Sequence, residues 1–253
     1  MTPDSANDLD AGRPQPLSPP SDVPWSSVGG LAFLLLFLVI HVFFFHFSML
    51  LQGRPPDMNT EMAGSNAVIL GLVFLFLHRR TGTSTNAARA LGLHVREPRR
   101  AIRRALVVFG LGAVAVAAWM LLEMIVLLML GIEPPPQRIV QWLHEQTRGG
   151  FSFEVLYFIA LAVAFVPLVE EVVFRGMLYL PLRRRVGALR AALLVSLLFA
   201  LIHFYLPGMG HLFIVALVFT CAFEATGTIW AAVGAHALHN AVMIALLLLF
   251  PLR

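Results

Sequence analysis

Charged residues are scarce in this chain, and lysine is absent. Only 13% of its 253 residues are charged, and all 18 basic residues are arginine. With 58% hydrophobic residues, the composition lies far from the average of soluble domains. It excludes an ordinary soluble domain and indicates an integral membrane protein. A basic set made only of arginine is typical of a GC-rich genome and favours a bacterial inner membrane.

Cysteine occurs once, at Cys221. A single cysteine excludes a framework of disulfides within the chain. No internal repeat is visible either, which disfavours a transporter built from inverted repeats. An ion or proton transporter is therefore a weaker alternative, although buried acids and imidazoles also build proton relays.

Arginines cluster in two segments that connect apolar runs. They are Arg79, Arg80, Arg89, Arg96, Arg99, Arg100, Arg103 and Arg104 in one, and Arg183, Arg184, Arg185 and Arg190 in the other. Such clusters mark the cytoplasmic loops of membrane proteins. The arginine clusters therefore indicate how the chain is oriented in the membrane, and they do not indicate a nucleic-acid partner. With both loops inside, the N-terminus is cytoplasmic, and segments 52–61 and 132–152 lie outside.

Seven apolar runs have roughly the length that crosses about 30 Å of hydrocarbon. They occupy residues 28–51, 62–78, 105–131, 153–181, 188–206, 211–225 and 228–250. The long fourth run is expected to break near Pro167 or Gly176, which would add a helix. The predicted fold is all-α, a polytopic helical bundle in the bilayer with about seven or eight transmembrane helices.

Two further segments have a distinct character. Residues 1–27 are rich in Pro, Ser and Asp, so they are predicted to be a disordered cytoplasmic tail ahead of a membrane domain at 28–253. Segment 137–149 has apolar residues among charged ones. It is interpreted as an amphipathic helix in the outer interface, with an ordinary polar loop as the alternative.

Three polar motifs interrupt the apolar runs. They are Glu170-Glu171-Val-Val-Phe-Arg175, Phe199-Ala-Leu-Ile-His203 and His236-Ala-Leu-His239-Asn240. A charged group at the centre of a membrane helix costs on the order of 2.5–3.5 kcal/mol on insertion scales. Counted from the cytoplasmic ends, the polar residues lie roughly 12–22 Å deep, so they can meet near the middle of the membrane. Together they predict one functional site.

Helical spacing assigns different tasks to the two glutamates. Glu171 and Arg175 are four residues apart, so they can form an ion pair on one helix face. Glu170 points about 100° away and is the carboxylate available for chemistry. The alternative is that all three residues serve structure alone. His236 and Asn240 repeat the spacing of four, while His239 faces either the site edge or a neighbouring helix.

Two kinds of chemistry suit these side chains. Glu170, His203 and His236 can hold one divalent metal such as zinc with an open position for water. Alternatively, Glu170 activates water as a general base, while a histidine and Asn240 stabilise the oxyanion without a metal. The helix signature His-Glu-x-x-His of soluble metalloproteases is absent. The sequence leaves both alternatives open.

The three motifs, in this order on separate helices, resemble those of the CPBP family of intramembrane proteases. That family includes type II CAAX prenyl endopeptidases and Abi bacteriocin-immunity proteins. The resemblance covers about residues 150–245, including Thr226-Gly-Thr-Ile-Trp230. It implies that Glu170 is the base that activates water and that Glu171 and Arg175 support it. His203 would be a second contact to the water, and Phe199 would pack at the site wall. His236 and Asn240 would polarise the scissile carbonyl or hold a metal.

The expected function is therefore an intramembrane endopeptidase. Its substrate would be a protein or peptide, in the membrane or prenylated, with CAAX-type processing expected by analogy with part of the family. The alternative is a non-enzymatic immunity or scaffold protein in which the polar cluster only holds helices together.

Overall fold

A computed structural model describes residues 17–52, 57–95, 97–133, 137–148 and 150–250. The described chain is helical and contains no strand, which confirms the all-α prediction. Its helices are α1 (Ser27–Gln52), α2 (Met58–Thr81), α3 (Ser84–Ala90), α4 (Pro98–Leu130), α5 (Arg138–Thr147), α6 (Phe153–Val186), α7 (Ala188–Leu201), α8 (Met209–Thr226) and α9 (Ile229–Leu249).

Six of these described helices are long and apolar enough to cross a membrane, which is fewer than the seven predicted spans. The exception is α7, whose 14 residues extend roughly 21 Å and so fall short of about 30 Å of hydrocarbon. The helix ends because the chain turns after Leu201. Phe204 adopts a left-handed φ of 49°, and a single 3₁₀ turn over Leu206–Gly208 leads into α8.

The predicted break in the fourth apolar run does not occur. Helix α6 continues for 34 residues, and two widened π-helical segments, Leu161–Phe165 and Val172–Tyr179, take the place of a break. Each widening ends two residues before a proline, Pro167 or Pro181. A proline ring collides with the carbonyl four residues earlier in an α-helix, and the π geometry accommodates the ring without ending the helix.

The two prolines also leave backbone carbonyls without helical donors. In an α-helix the carbonyl of Met177 would bond to the N–H of residue 181, which Pro181 lacks. The indole Nε1 of Trp25 donates to that oxygen instead, at 3.0 Å. Near the other widening, the N–H of Val166 bonds five residues back, and the side chain of Asn240 donates to the carbonyl of Ala162 at 2.9 Å. Both hydrogen bonds attach other parts of the chain to α6.

The chain before α1 packs against the arginine-bearing end of the bundle. Residues 1–16 of the predicted tail lie outside the described residues. The following stretch differs from the prediction of disorder, because Leu17, Val23 and Trp25 bury their apolar side chains. Arg184 Nη1 donates to the carbonyl of Val23 at 3.0 Å. Segment 17–26 therefore forms a strap across the ends of α6, α8 and α9, and it is called the strap below.

Helix α5 lies where the sequence predicts an amphipathic segment. Its apolar side chains Ile139, Trp142 and Leu143 pack over Met58 and Phe158, at the ends of α2 and α6 that lie away from the arginine loops. Arg138 pairs with Glu61 of α2 at 3.2 Å and lies over the ring of Phe45 of α1 at 5.9 Å. The helix thus covers part of one end of the bundle.

Helix α8 has α4, α7 and α9 as its neighbours. It meets α4 at glycines, where a Cβ atom on Gly112 or Gly210 would collide with Val218 or Trp119. The outer face of α4 exposes large aliphatic side chains such as Leu111, Val114 and Leu128, as a lipid-facing helix does.

We expect Gly30→Ala to destabilise the protein by about 1–3 kcal/mol, the range for an overpacked core. A Cβ atom at Gly30 would collide with the carbonyl oxygen of Met177 and push α1 from α6. Gly71→Ala on α2 is the matched control, since nothing lies within 4 Å of its Cβ position. Thermal unfolding of the purified variants in detergent measures the difference, and equal melting temperatures would contradict the close packing of α1 on α6.

Candidate active site

Glu171 and Arg175 form an ion pair inside α6. Arg175 Nη1 lies 2.9 Å from Glu171 Oε1, and neither side chain is exposed. The other terminal nitrogen, Nη2, donates to the backbone carbonyl of Ala216 on α8 at 2.7 Å. The spacing of four residues thus produces the predicted contact. Burial makes this ion pair costly in free energy, because each ion has lost its hydration and depends on its protein partners.

Two aromatic rings enclose the guanidinium of Arg175. Its Cζ atom lies 5.3 Å from the ring centre of Phe199 on α7 and 5.5 Å from that of Phe219 on α8. The negative faces of the rings attract the cation, and the attraction grows when water is excluded. Phe199 therefore belongs to the surroundings of the ion pair. The sequence indicated only that it packs at the site wall.

His236 lies between the two glutamates. Its Nδ1 is 2.9 Å from Glu171 Oε1, and its Nε2 is 3.7 Å from Glu170 Oε2. The ring stacks on Phe219, with the centroids 4.5 Å apart and the planes at 19°. An ionised carboxylate only accepts hydrogen bonds, so Nδ1 carries a proton and Nε2 faces Glu170. A buried carboxylate thus orients the imidazole, as such partners do in catalytic sites.

Glu170 has a different environment from its neighbour. Its side chain is 13% exposed, whereas that of Glu171 is fully buried. Its nearest ionisable partner is His236 Nε2, at a distance too long for a direct hydrogen bond. The two adjacent glutamates therefore have different environments, as the sequence predicted. Glu171 is held by partners, while Glu170 keeps its carboxylate oxygens for another group.

Asn240 lies one helical turn beyond His236 on α9. Its Nδ2 donates to the carbonyl of Ala162 in the first π-helical segment of α6. This bond holds α9 against α6, the helix that bears the glutamates. The predicted contact of Asn240 with a reacting carbonyl stays a prediction.

His203 lies at the edge of the site. The residue is exposed, and its Nδ1 is 2.7 Å from the carbonyl of Phe199. The ring of Phe199 is 4.7 Å from that of His203 and 5.8 Å from that of His236, so this phenyl group links the two histidines. In the described chain, no hydrogen bond or ion pair joins His203 to either Glu170 or His236.

A second histidine pair lies beside the first. Nε2 of His211 on α8 is 3.4 Å from Nε2 of His239, and the ring of His239 is 6.2 Å from that of Phe219. No pattern in the sequence pointed to His211. Its partner is on another helix, so no spacing within one helix could have identified the pair. His239 therefore faces a neighbouring helix, which was one of its two predicted orientations.

The predicted metal ligands are not gathered around one point. Of Glu170, His203 and His236, the first and third lie close together, and His203 lies in the turn after α7. Within the described ranges, no three His, Cys, Asp or Glu side chains are placed to hold a metal ion. The donor arrangement thus does not fit the predicted zinc set. Instead, the carboxylate of Glu170 and the oriented imidazole of His236 lie 3.7 Å apart.

Comparison with known proteins identifies one family. Residues 152–242 match the family model described as type II CAAX prenyl endopeptidase, Rce1-like. The match contains all three motifs and confirms the resemblance predicted for residues 150–245. No curated protein and no solved structure matches the chain. Residues 152–242 are thus similar to a protease family, and six of the described helices are long and apolar enough to cross a membrane.

We expect Arg175→Met to destabilise the fold by about 3–5 kcal/mol, because it leaves Glu171 charged, buried and without its cation. The double variant Glu171→Gln/Arg175→Met should recover part of that loss, since no unpaired ion is then left. Arg100→Met is the control, as its pairing with Glu97 lies at the surface and is worth at most about 1 kcal/mol. Melting temperatures in detergent check this, and similar losses for Arg175→Met and Arg100→Met would contradict it.

Proposed function

We propose that this protein is an intramembrane endopeptidase in which Glu170 activates the water that hydrolyses a peptide bond. The observation that carries the proposal is the gap of 3.7 Å between Glu170 Oε2 and His236 Nε2. Atoms at this distance are too far apart for a direct hydrogen bond and close enough for one water molecule to bond to both. The family match over residues 152–242 supplies the reaction class.

The first step is the attack of water on the scissile carbonyl. Glu170 accepts a proton from the water as its oxygen forms a bond to the carbonyl carbon. The carbonyl oxygen becomes an oxyanion, which needs a donor prepared in advance. His236 is suited to this, because Glu171 fixes its ring. In its doubly protonated form it balances the second carboxylate of the cluster and points Nε2–H toward the reacting group.

The second step breaks the peptide bond. Glu170 returns the proton that it received to the leaving nitrogen, the C–N bond breaks, and a carboxylic acid and an amine are released. A single carboxyl group then serves as base and as acid. Its partial burial suits both tasks, since the surroundings exclude most water while the side chain still reaches the substrate.

The remaining motif residues act through position. The rings of Phe199 and Phe219 enclose Arg175, Arg175 pairs with Glu171, and Glu171 holds His236. We assign Asn240 to the contact between α9 and α6, with its second amide hydrogen available for the substrate. His203 is assigned to the entrance of the site, where it contacts Phe199.

A purely structural role for the cluster is the competing interpretation. It is favoured by one observation, namely that Glu171, Arg175, His236 and Asn240 all have partners within the protein. Such a role would suit an immunity or scaffold protein. It does not account for Glu170, which is kept near His236 without a direct hydrogen bond.

We expect Glu170→Gln to abolish cleavage, with activity at least 100-fold below that of the wild type, in the range lost with a general base. The amide keeps the shape of the side chain but cannot accept the proton of water. The measurement compares protein termini in cells that express either form at matched membrane levels. Termini found only with the wild type are the expected result.

Glu154→Gln is the matched control, because Glu154 is an exposed residue near the start of the same helix. It should leave the pattern of termini unchanged. Identical termini in wild-type and Glu170→Gln cells under several growth conditions would contradict proteolysis and favour the scaffold interpretation. A loss of folded protein in Glu170→Gln alone would also favour that interpretation.

We further expect cleavage in isolated membranes to persist in the presence of a zinc chelator such as 1,10-phenanthroline. The reason is the donor arrangement, in which His203 does not join Glu170 and His236. The measurement is the rate of Glu170-dependent cleavage with the chelator and with its non-chelating isomer. A selective loss that added zinc restores would contradict the metal-free proposal and revive the predicted ligand set.

A further inference from the structure

A cavity of about 350 Å³ lies at the end of the bundle away from the arginine loops. Its walls come from α1, the start of α2, the start of α5 and the turn after α7. They include His41, Met62, Glu61, Ile139, His203 and Tyr205. The volume falls within the range of about 300–1,000 Å³ that is typical of ligand pockets. One wall residue, His203, comes from a motif of the candidate active site.

The cavity adjoins the reacting groups through one side chain. Phe199 packs against His203 in the cavity wall and also against His236 at the site. Helix α2 packs against the part of α6 that carries Glu170. The phenyl ring of Phe199 therefore lies between a residue of the cavity wall, His203, and a residue of the site, His236.

The opposite end of the bundle is closed by packing. There the strap lies across the helix ends, with Trp25 bonded to the Met177 carbonyl and Arg184 to the Val23 carbonyl. The backbone of Ser18 lies so close to Gly227 that a Cβ atom there would be 2.5 Å from the Ser18 oxygen.

A polar cluster seals the same end further. The Tyr179 hydroxyl donates to Glu224 Oε1 at 2.6 Å, and Arg183 pairs with both oxygens of that carboxylate. The residues of α6 from Glu171 to Pro181 are all buried. A substrate approaching from this end would have to displace the strap and break the cluster. The described residues thus form a cavity at one end and a packed barrier at the other.

We propose that the cavity is the substrate-binding site of the peptidase and admits an extended peptide from the face opposite the arginine loops. This inference rests on the proposed function. A peptide must be unwound to be cleaved, and its free N–H and C=O groups are tolerated at membrane depth only inside protein or beside water. Imidazole and carboxylate groups in the wall supply polar partners for such a backbone. Met58 and Met62 are flexible apolar residues that adapt to varied side chains.

The proposal places the cleaved bond in the portion of a membrane protein or peptide that emerges on the side away from the arginine loops. If arginine loops face the cytoplasm, the substrates are exported segments. The charged pair of Arg138 and Glu61 lies at the cavity and carries one charge of each sign. The cavity therefore presents no surplus of charge to the peptide, and apolar or mixed segments are favoured over strongly charged ones.

Single cysteines test the proposal. In a Cys221→Ser background, which removes the chain's one native thiol, Ile139→Cys and Met62→Cys place a thiol in the cavity wall. Glu145→Cys places one on the exposed face of α5 outside the cavity, and Arg185→Cys places one on an arginine loop. The probe is a membrane-impermeant, positively charged methanethiosulfonate, applied to intact cells and to inverted membrane vesicles. Each variant is compared with itself before and after modification.

The expected result has two parts. The cavity cysteines react from the face opposite that of Arg185→Cys, and their modification lowers Glu170-dependent cleavage at least tenfold, while modified Glu145→Cys is unchanged. A reductant should restore the activity. Reaction of the cavity cysteines from the same face as Arg185→Cys would overturn the proposal. So would full modification of both cavity cysteines with cleavage kept within twofold.

These failures differ from a failure of the proposed function. The reactive face of each cysteine is measured without any cleavage, so it decides the direction of access even in an inactive variant. An absence of Glu170-dependent termini in wild-type cells would reject the peptidase and, with it, a substrate site. Glu170-dependent termini that are insensitive to cavity modification would keep the peptidase and reject this entrance.

Discussion

The buried ion pair of Glu171 and Arg175 is the interaction on which the rest of the site depends. Two charges without water need every partner that the surrounding helices can supply. The partners come from three other helices, namely the Ala216 carbonyl and Phe219 on α8, Phe199 on α7, and His236 on α9. These contacts join the three helices to α6, while Glu171 Oε2 and Arg175 Nε stay buried without a hydrogen-bond partner in the described chain. The same contacts orient His236 toward Glu170, so they contribute both to the stability of the bundle and to the geometry of the site.

Proline provides the second constraint. Pro167 and Pro181 interrupt the hydrogen bonding of α6 without ending the helix, and π-helical widening precedes each of them. Backbone carbonyls that lose their helical donor inside a membrane protein must find another. Trp25 and Asn240 supply the donors. A local defect in one helix thereby fastens the strap to one end of the bundle and α9 to its middle, on either side of the two glutamates.

Much of the site could be predicted because helical periodicity places residues on faces. The pairing of Glu171 with Arg175 follows from their spacing, and so does the separate direction of Glu170. The residues that were missed have no such signal. The Ala216 carbonyl is backbone, Phe219 is one phenylalanine among 20, and His211 meets His239 only across two helices. The predicted grouping of His203 with Glu170 relied on depth alone, which carries no information on direction around a helix.

By itself, the sequence determined the membrane class, the all-helical fold, the resemblance to a protease family and the residues at which polar chemistry is concentrated. These properties follow from composition, from the lengths of apolar runs, from spacing along single helices and, for the resemblance, from the order of the three motifs. Only the tertiary structure decided that α7 stops short of a full span, that the strap is packed, that α6 continues past its prolines, and that a cavity reaches His203 from one end. These properties depend on which groups of different helices meet, since a buried charge or an open carbonyl is satisfied by whichever partner packing brings within reach.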